Sequence, residues 1–294
     1  MKKTFLNLDP VYTDSKRAKF FVQPVPYEGT VCFMNGTING PDAILEVSDQ
    51  MEHIDEELHI EFPKAGIVTL DPLPVMETPD EEMEMIFNAA CPLFKKGKIP
   101  IFLGGEHSIT GPIVRAAAET YPDLSVLQFD AHADLRDSFS GTKHSHAAVM
   151  RRVLEVTPKL VQVGIRSFSP EEYEECQFQI DYAIGVPTLE REHGYHWAMD
   201  QILSRLSKNV YITFDIDALD PAYAPATGTP EPGGMTWRQA TQIIEQVSLA
   251  KNVIGADVVE VAPFGNGNIV TEFLAARLVA KIMAYNCSVD DYIS

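Results

Sequence analysis

The sequence predicts an α/β fold: a single three-layer domain, residues 1–294, in which a parallel sheet is flanked by helices. Short apolar, β-branched runs alternate with longer amphipathic ones along most of the 294 residues, the pattern left by strands joined through crossover helices. No Gly/Ser-rich or Pro-rich linker, internal repeat or low-complexity tract interrupts that alternation. Polar clusters directly follow four of the apolar runs, where the carboxyl ends of strands would lie.

In chain order, the runs that read as strands are Phe20 to Val25, Gly66 to Leu70, Pro100 to Leu103, Leu124 to Phe129, Leu160 to Ile165, Val210 to Phe214 and Val253 to Val259. Each is short and rich in residues that suit a pleated, buried surface. Helical periodicity is predicted over Pro79 to Phe94, Thr110 to Thr120, His146 to Glu155, Tyr195 to Leu206, Thr236 to Leu249 and Thr271 to Tyr285. The longest stretch without either period, Asp220 to Gly234, follows a strand directly, and a loop that long inside a compact domain is usually functional.

Composition narrows the function. With 45% hydrophobic and 22% charged residues the chain is globular. Its longest apolar runs fall short of the ~18 residues a membrane span needs, and the start MKKTFLNLDP has a charged head without an apolar segment behind it. A cytoplasmic protein with no membrane partner is expected. Cys32, Cys91, Cys176 and Cys287 are scattered without a CxxC pair, as free thiols in a reducing compartment would be. Forty-two acids against 23 bases give a net charge of -19, which repels nucleic acid and either keeps the protein soluble or steers a cationic substrate.

The four strand-end clusters are Gly104-Gly105-Glu106-His107-Ser108, Asp130-Ala131-His132-Ala133-Asp134, Asp215-Ile216-Asp217 and Glu260. In an open α/β sheet the carboxyl ends of the strands share one rim, where ligands bind. In an extended segment Asp130, His132 and Asp134 would project together, as would Asp215 and Asp217. With His107 they form four carboxylates and two imidazoles, and so many acids stay ionised side by side only with cations among them. Two divalent metals are predicted. The oxygen-rich, sulfur-free set favours Mn2+, with zinc, iron, cobalt and nickel open alternatives. A metal pair about 3.5 Å apart activates a water for hydrolysis. Taken alone, DAHAD is equally a strand end with a capping Asp, and a single His after two glycines is more often structural; the four clusters together carry the metal reading.

These residues resemble the ureohydrolase (arginase and agmatinase) family through GGEHS at 104–108, DAHADLRD at 130–137, FDIDALDP at 214–221 and GADVVEVAP at 255–263. The resemblance implies an arginase/deacetylase-like fold and a hydrolase that releases urea from a small cationic guanidino compound, agmatine being the first expectation. It implies one metal held by His107, Asp130, Asp134 and Asp215, and a second held by Asp130, His132, Asp215 and Asp217, with Asp130 and Asp215 bridging. Asp134, His146 and Glu260 are then the catalytic set. Glu260 matches the family's guanidinium-binding acid, a role that suits a carboxylate facing a planar cation. His146, opening a helix after DAHAD, matches the proton-shuttling His, which needs a pKa near neutrality; His144 is the competing choice.

The loop Leu135 to Gly141 and the segment Ala224 to Pro230 resemble agmatinases more than arginases. Asp137 and Glu231 are the acids the sequence offers to a substrate's terminal ammonium. The chain departs from the family at Met34 and Ile38, where arginines are usual, and at Phe264 to Asn268, where a Tyr-Asp pair is common. Those departures leave 4-guanidinobutyrate, N-aminopropylagmatine and arginine as alternative substrates. The resemblance also implies a homo-oligomer, trimer or hexamer. A regulatory homologue without activity would lack metal ligands, and a deacetylase would need a single-zinc Asp/His/Asp set; the six candidate ligands argue against both.

Overall fold

A computed structural model describes residues 3–191 and 194–288. Its seven strands are β1 (Phe20–Val25), β2 (Ile67–Thr69), β3 (Ile99–Gly104), β4 (Leu124–Phe129), β5 (Leu160–Val163), β6 (Asn209–Asp215) and β7 (Asn252–Val259). They form one sheet in the order β2-β1-β3-β7-β6-β4-β5, and every pairing is parallel. The predicted strands β1 and β4 have the observed bounds, and the other five differ by one or two residues at their ends.

Helices cover both faces, as the continuous burial of β1, β3 and β4 requires. The helices α1 (Gly40–Ser48), α6 (Val186–Leu189), α7 (Gly194–Arg205), α8 (Trp237–Ala250) and α9 (Val270–Tyr285) share one core with Phe20, Val22, Leu127, Phe129 and Phe214. On the opposite face α2 (Pro79–Lys95), α3 (Thr110–Ala118), α4 (Val149–Val156) and α5 (Pro170–Tyr182) pack over Phe21, Phe102, Val126, Tyr211 and Ile254. Phe20 and Phe21 thus serve opposite cores from adjacent positions, the period of two that a strand imposes.

Three helices lie outside the sequence-based expectation. At α1 the Gly40-Pro41 pair reads as a turn, yet Pro41 sits in the first helical turn, where its missing N–H costs nothing. At α5 the Ser169 side chain accepts from Glu172 N while Glu172 accepts from the Ser169 N–H, a capping box with Pro170 at its first position. The short α6 likewise starts with Pro187 in its first turn.

The order of the sheet positions the site. The clusters follow β3, β7, β6 and β4, four contiguous central strands. Gly105 makes the β3 exit passable: a Cβ there would lie 1.9 Å from the Tyr27 carbonyl oxygen, so only glycine lets the chain leaving β1 cross over it.

Candidate active site

All six predicted ligands converge beyond the carboxyl ends of those four strands. His107 Nδ1 lies 3.1 Å from Asp130 Oδ2, 3.1 Å from Asp134 Oδ2 and 3.5 Å from Asp215 Oδ2. His132 Nδ1 lies 3.0 Å from Asp217 Oδ2 and 3.6 Å from Asp130 Oδ1. Two groups with metal-binding geometry result, His107-Asp130-Asp215 and Asp130-His132-Asp217, and Asp130 belongs to both. Asp215 stands only in the first of these, and its Oδ1 accepts the Asp217 N–H at 2.9 Å; Asp134 stands in neither, although it faces His107.

The local route differs from the expected extended segments. Asp134 takes a left-handed backbone, φ 55°, which an extended strand excludes; its carbonyl accepts from Met150 N and Arg151 N at the start of α4. Ile216–Ala218 forms a single 3-10 turn, so Asp215 and Asp217 meet through a turn, not through strand alternation. Glu260 is left-handed too, φ 63°, and such strained conformations at non-glycine residues concentrate at functional sites.

The electrostatics match a cation site. Burial, then the Asp130 charge, pushes the Asp134 carboxyl up to about 7. Burial with Asp217 and Asp130 raises Asp215 well above the ordinary carboxylate range. Burial opposes a charge on His132, yet Asp217 and Asp130 overrule it and lift the imidazole to about 12. His107 is raised as well, because Asp130, Asp134 and Asp215 overcome its complete burial. Cations are therefore demanded from somewhere, and divalent metals supply them while displacing the protons. The donor set fits: His107 Nδ1 is buried without a hydrogen-bond partner and faces three carboxylates, the arrangement of a ligand lone pair.

The tautomer of His107 has an evident cause. Its Nε2 stands 2.8 Å from Thr213 Oγ1, and Thr213 Oγ1 donates at 2.7 Å to Asp257 Oδ1. Asp257 also accepts from Tyr211 Oη and Thr110 Oγ1. With its hydrogen committed to Asp257, the Thr213 hydroxyl accepts from His107 Nε2–H and leaves Nδ1 free to ligate. Thr213→Val is expected to weaken metal binding about 10- to 100-fold without unfolding the protein. Chelator-competition titration measures this, and an unchanged affinity would sink the orienting role. Gln128 adds a second prop, its Nε2 donating to Asp130 Oδ2 at 2.7 Å.

A cavity of about 270 Å³ opens over the cluster, lined among others by His107, His132, Asp134, His146, Glu260 and Thr229. Glu260 is 8% exposed, and its Oε1 accepts the His107 backbone N–H at 2.6 Å. Burial, then Glu106, raises its pKa well above the ordinary value, so a cationic partner in the cavity would be favoured. The two competing histidines separate cleanly: His146 lines this cavity, whereas His144 pairs with Asp80 at 2.9 Å and faces a different recess.

Both loops singled out in the sequence reach the cavity, through Arg136 and Phe139 of the first and Thr229 of the second. The acids assigned to them do not. Asp137 turns outward to Arg152 Nη2 at 2.9 Å with its side chain 72% exposed. Glu231 is absent from the cavity lining; its carbonyl accepts from Arg166 Nη2 at 2.7 Å, and the same nitrogen binds the Asp217 carbonyl, which pins the loop. The acid outside the metal cluster that joins Glu260 in the lining is Glu172, which closes the capping box of α5. Its Oε1 accepts from Leu135 N and its Oε2 from Ser169 N, with Arg136 Nε 3.8 Å away. The Ser169-x-x-Glu172 capping signature was its only sequence signal. Met34, and Ile38 in the 3-10 turn Thr37–Asn39, lie in a segment organised by Glu28, whose Oε2 accepts from Gly36 N, Thr37 Oγ1 and Ile38 N. Phe264 is 43% exposed, in a segment with left-handed Gly265 and Gly267.

Comparison with known proteins places this geometry. The chain is 36% identical over 294 residues to the N(1)-aminopropylagmatine ureohydrolase of Synechocystis sp., covering 96% of this chain and 94% of that protein. It is 34% identical to the agmatinase of Bacillus anthracis, covering 96% and 95% of the two chains. The crystal structure of agmatine ureohydrolase of Thermoplasma volcanium superposes with a TM-score of 0.85 at 32% identity, covering 97% of this chain and 94% of that one. The sequence pattern of the arginase family matches residues 18–285. The chain belongs to the arginase family and is a metal-dependent amidinohydrolase.

Proposed function

We propose that this enzyme, acting as a single catalytic domain with two Mn2+ ions per subunit, releases urea from a guanidino amine, agmatine or N-aminopropylagmatine. The observation that carries the reading is the cavity itself, which is lined by residues of the His/Asp cluster, by Glu260 and by the buried acid Glu172. When bound, the metals supply Lewis acidity and an activated water. Asp130 is the ligand both ions would share, with His107, Asp134 and Asp215 on one side and His132 and Asp217 on the other. Asp215 is proposed as the second bridge.

The remaining steps fall to the chain's own side chains. Glu260 receives the guanidinium through its carboxylate and fixes the plane of the carbon to be attacked. His146 Nε2, unprotonated at rest, takes a proton that the attacking water loses and hands it to the departing amine. Burial holds the His146 imidazole below its ordinary pKa, so it is free to take that proton at neutral pH and parts with it readily. Phe139 stands edge-on to His146, ring centroids 5.8 Å apart, and with Phe168 lines the passage for an alkyl tail.

The tail is the point on which substrates differ. Glu172 offers a carboxylate to a terminal ammonium, in the place first assigned to Asp137 and Glu231. Both aminopropylagmatine ureohydrolases and agmatinases stand among the relatives, and their substrate names share that cationic tail. Agmatine would yield putrescine, which would place the enzyme in polyamine biosynthesis. Among the described residues no helix is long and apolar enough to cross a membrane; a cytoplasmic homo-oligomer, with neither nucleic acid nor membrane as partner, completes the proposal.

Urea release after reconstitution with Mn2+ tests it. Agmatine and N-aminopropylagmatine are expected to be turned over with kcat/KM at least tenfold above that of 4-guanidinobutyrate or arginine. Preference for a substrate bearing a carboxylate would overturn the cationic-tail reading and leave the hydrolase intact.

A further inference from the structure

We propose that Thr30 and Glu106 are positioning residues for His146, holding its neutral imidazole as the Nδ1–H tautomer so that the Nε2 lone pair faces the cavity. The inference rests on the reading of His146 as the proton carrier and adds to it the residues that aim the ring.

Glu106 is fully buried and saturated with donors. Its Oε2 accepts from Gly29 N at 2.8 Å and Thr30 N at 2.6 Å, and its Oε1 from Thr30 Oγ1 at 2.6 Å and Ser108 Oγ at 2.7 Å. Four donors leave this carboxylate acting as an acceptor only. The single hydrogen of the Thr30 hydroxyl is therefore spent on Glu106. What Thr30 Oγ1 still offers is lone pairs, and two His146 groups meet them: the backbone N–H at 3.2 Å and ring Nδ1 at 3.0 Å. An oxygen without a spare hydrogen binds Nδ1 only if Nδ1 carries the proton. Nε2 is then the unprotonated nitrogen, and its recorded neighbour is Cys32 Sγ at 3.6 Å, itself part of the cavity lining.

The chain path explains how residues so distant in sequence meet. Gly105 lets the segment after β1 pass over β3, with Glu106 N donating to the Tyr27 carbonyl at 2.9 Å, and this crossing delivers Gly29 and Thr30 to Glu106. The other charged groups facing His146 are His107, His132 and Asp130. None of these is hydrogen-bonded to the ring. Ser145 Oγ also approaches Nδ1, at 3.5 Å, and Cys32 Sγ approaches Nε2 at 3.6 Å; Thr30 Oγ1 at 3.0 Å is the closest of the three and the one whose hydrogen is already committed, so it sets the tautomer. When Nε2 takes a proton, the resulting imidazolium meets the Glu106 charge through one hydroxyl, the relation by which an acid behind a histidine stabilises its charged form.

A purely structural role for Thr30, anchoring the loop at Ser145-His146, predicts a different result in experiment. In protein labelled with 15N-histidine and loaded with diamagnetic zinc, the His146 ring is expected to show the Nδ1–H tautomer, and Thr30→Val to shift it toward Nε2–H. With Mn2+, Thr30→Val should lower kcat by tenfold or more at unchanged metal content, Thr30→Ser should restore it, and Thr30→Val should add nothing in a His146→Ala background. His146→Ala itself is expected to cost about 10² to 10⁴ in rate. An Nε2–H tautomer in the unmutated protein, or losses that multiply in the double mutant, would overturn the proposal. A silent His146→Ala would remove the proton-carrier reading and the catalytic half of the inference with it, while the tautomer measurement would still decide the hydrogen-bonding half.

Discussion

Asp130→Asn is expected to abolish urea release and to cut the metal content below two ions per chain. Asp130 stands in both metal-binding groups of the cluster, so the substitution weakens two sites at once, whereas loss of Asp217 touches one. Metal assistance is worth several kcal/mol at the transition state, on the order of a thousandfold or more in rate. Stability should fall both with and without metal. In the metal-free protein Asp130 pairs with His107 at 3.1 Å and with His132 at 3.6 Å, and against its complete burial these imidazoles hold its carboxyl below the ordinary range, so Asn loses both pairings and the metal-free mutant should melt lower than the parent. The parent should gain about 3 kcal/mol of stability at a metal concentration a hundred times its dissociation constant, and the mutant much less. Thermal melts with and without Mn2+, beside elemental analysis, measure both. Two ions retained per chain in the mutant would mean that Asp130 bridges nothing.

What the sequence disclosed of this architecture follows from where information sits along a chain. Strands such as Phe20–Val25 and Leu124–Phe129 are local, continuous apolar runs, and their ends place the polar clusters with little ambiguity. That the clusters belong to contiguous strands required the sheet order, which no local pattern contains. Helix α5 lay outside the expectation: its Ser169 to Glu172 capping box is a local signal, but its apolar periodicity is weak and its first turn acidic. Side-chain direction was the least accessible layer. Alternation suggested that Asp130, His132 and Asp134 share a strand face; they meet instead because Asp134 is left-handed, a conformation set by the contacts its carbonyl makes with the start of α4.

The same limit applies to the residues that support the site. His107 and His146 stand in recognisable motifs, but the groups that orient them do not: Thr213 and Asp257 are 106 and 150 positions from His107, and Thr30 is 116 from His146. Both imidazoles are backed by the same device, a threonine hydroxyl handing its hydrogen to a buried carboxylate. Proximity in sequence misled in the case of Asp137 and Glu231. Each lies in a loop that does reach the cavity, yet Asp137 is drawn outward by Arg152 and Glu231 contributes a carbonyl to Arg166, while the acid on the cavity wall comes from α5.

Glu260→Gln is expected to leave both metals in place and to raise KM steeply, because Glu260 belongs to neither metal-binding group and its function is proposed to be the guanidinium. The expected loss exceeds that of a simple neutralisation. In the present structure Glu260 Oε1 already accepts the buried His107 N–H at 2.6 Å. A glutamine has one acceptor oxygen, and leaving that N–H without it would cost about 1 to 3 kcal/mol; the amide therefore turns its oxygen to His107 and its NH2 toward the substrate. A guanidinium, which only donates, then faces a donor. Truncating one side of a buried charge pair costs about 2 to 5 kcal/mol, roughly thirtyfold to several thousandfold in affinity. The loss should discriminate among ligands. Guanidinium-bearing inhibitors should weaken by that factor, whereas a small anion such as fluoride, held by the metals alone, should bind as before. Parallel inhibition constants for the two ligand types, with metal content as control, give the decision. Equal weakening of both would place Glu260 in support of His107 and the metals, and guanidinium recognition would have to be sought among the other groups of the cavity.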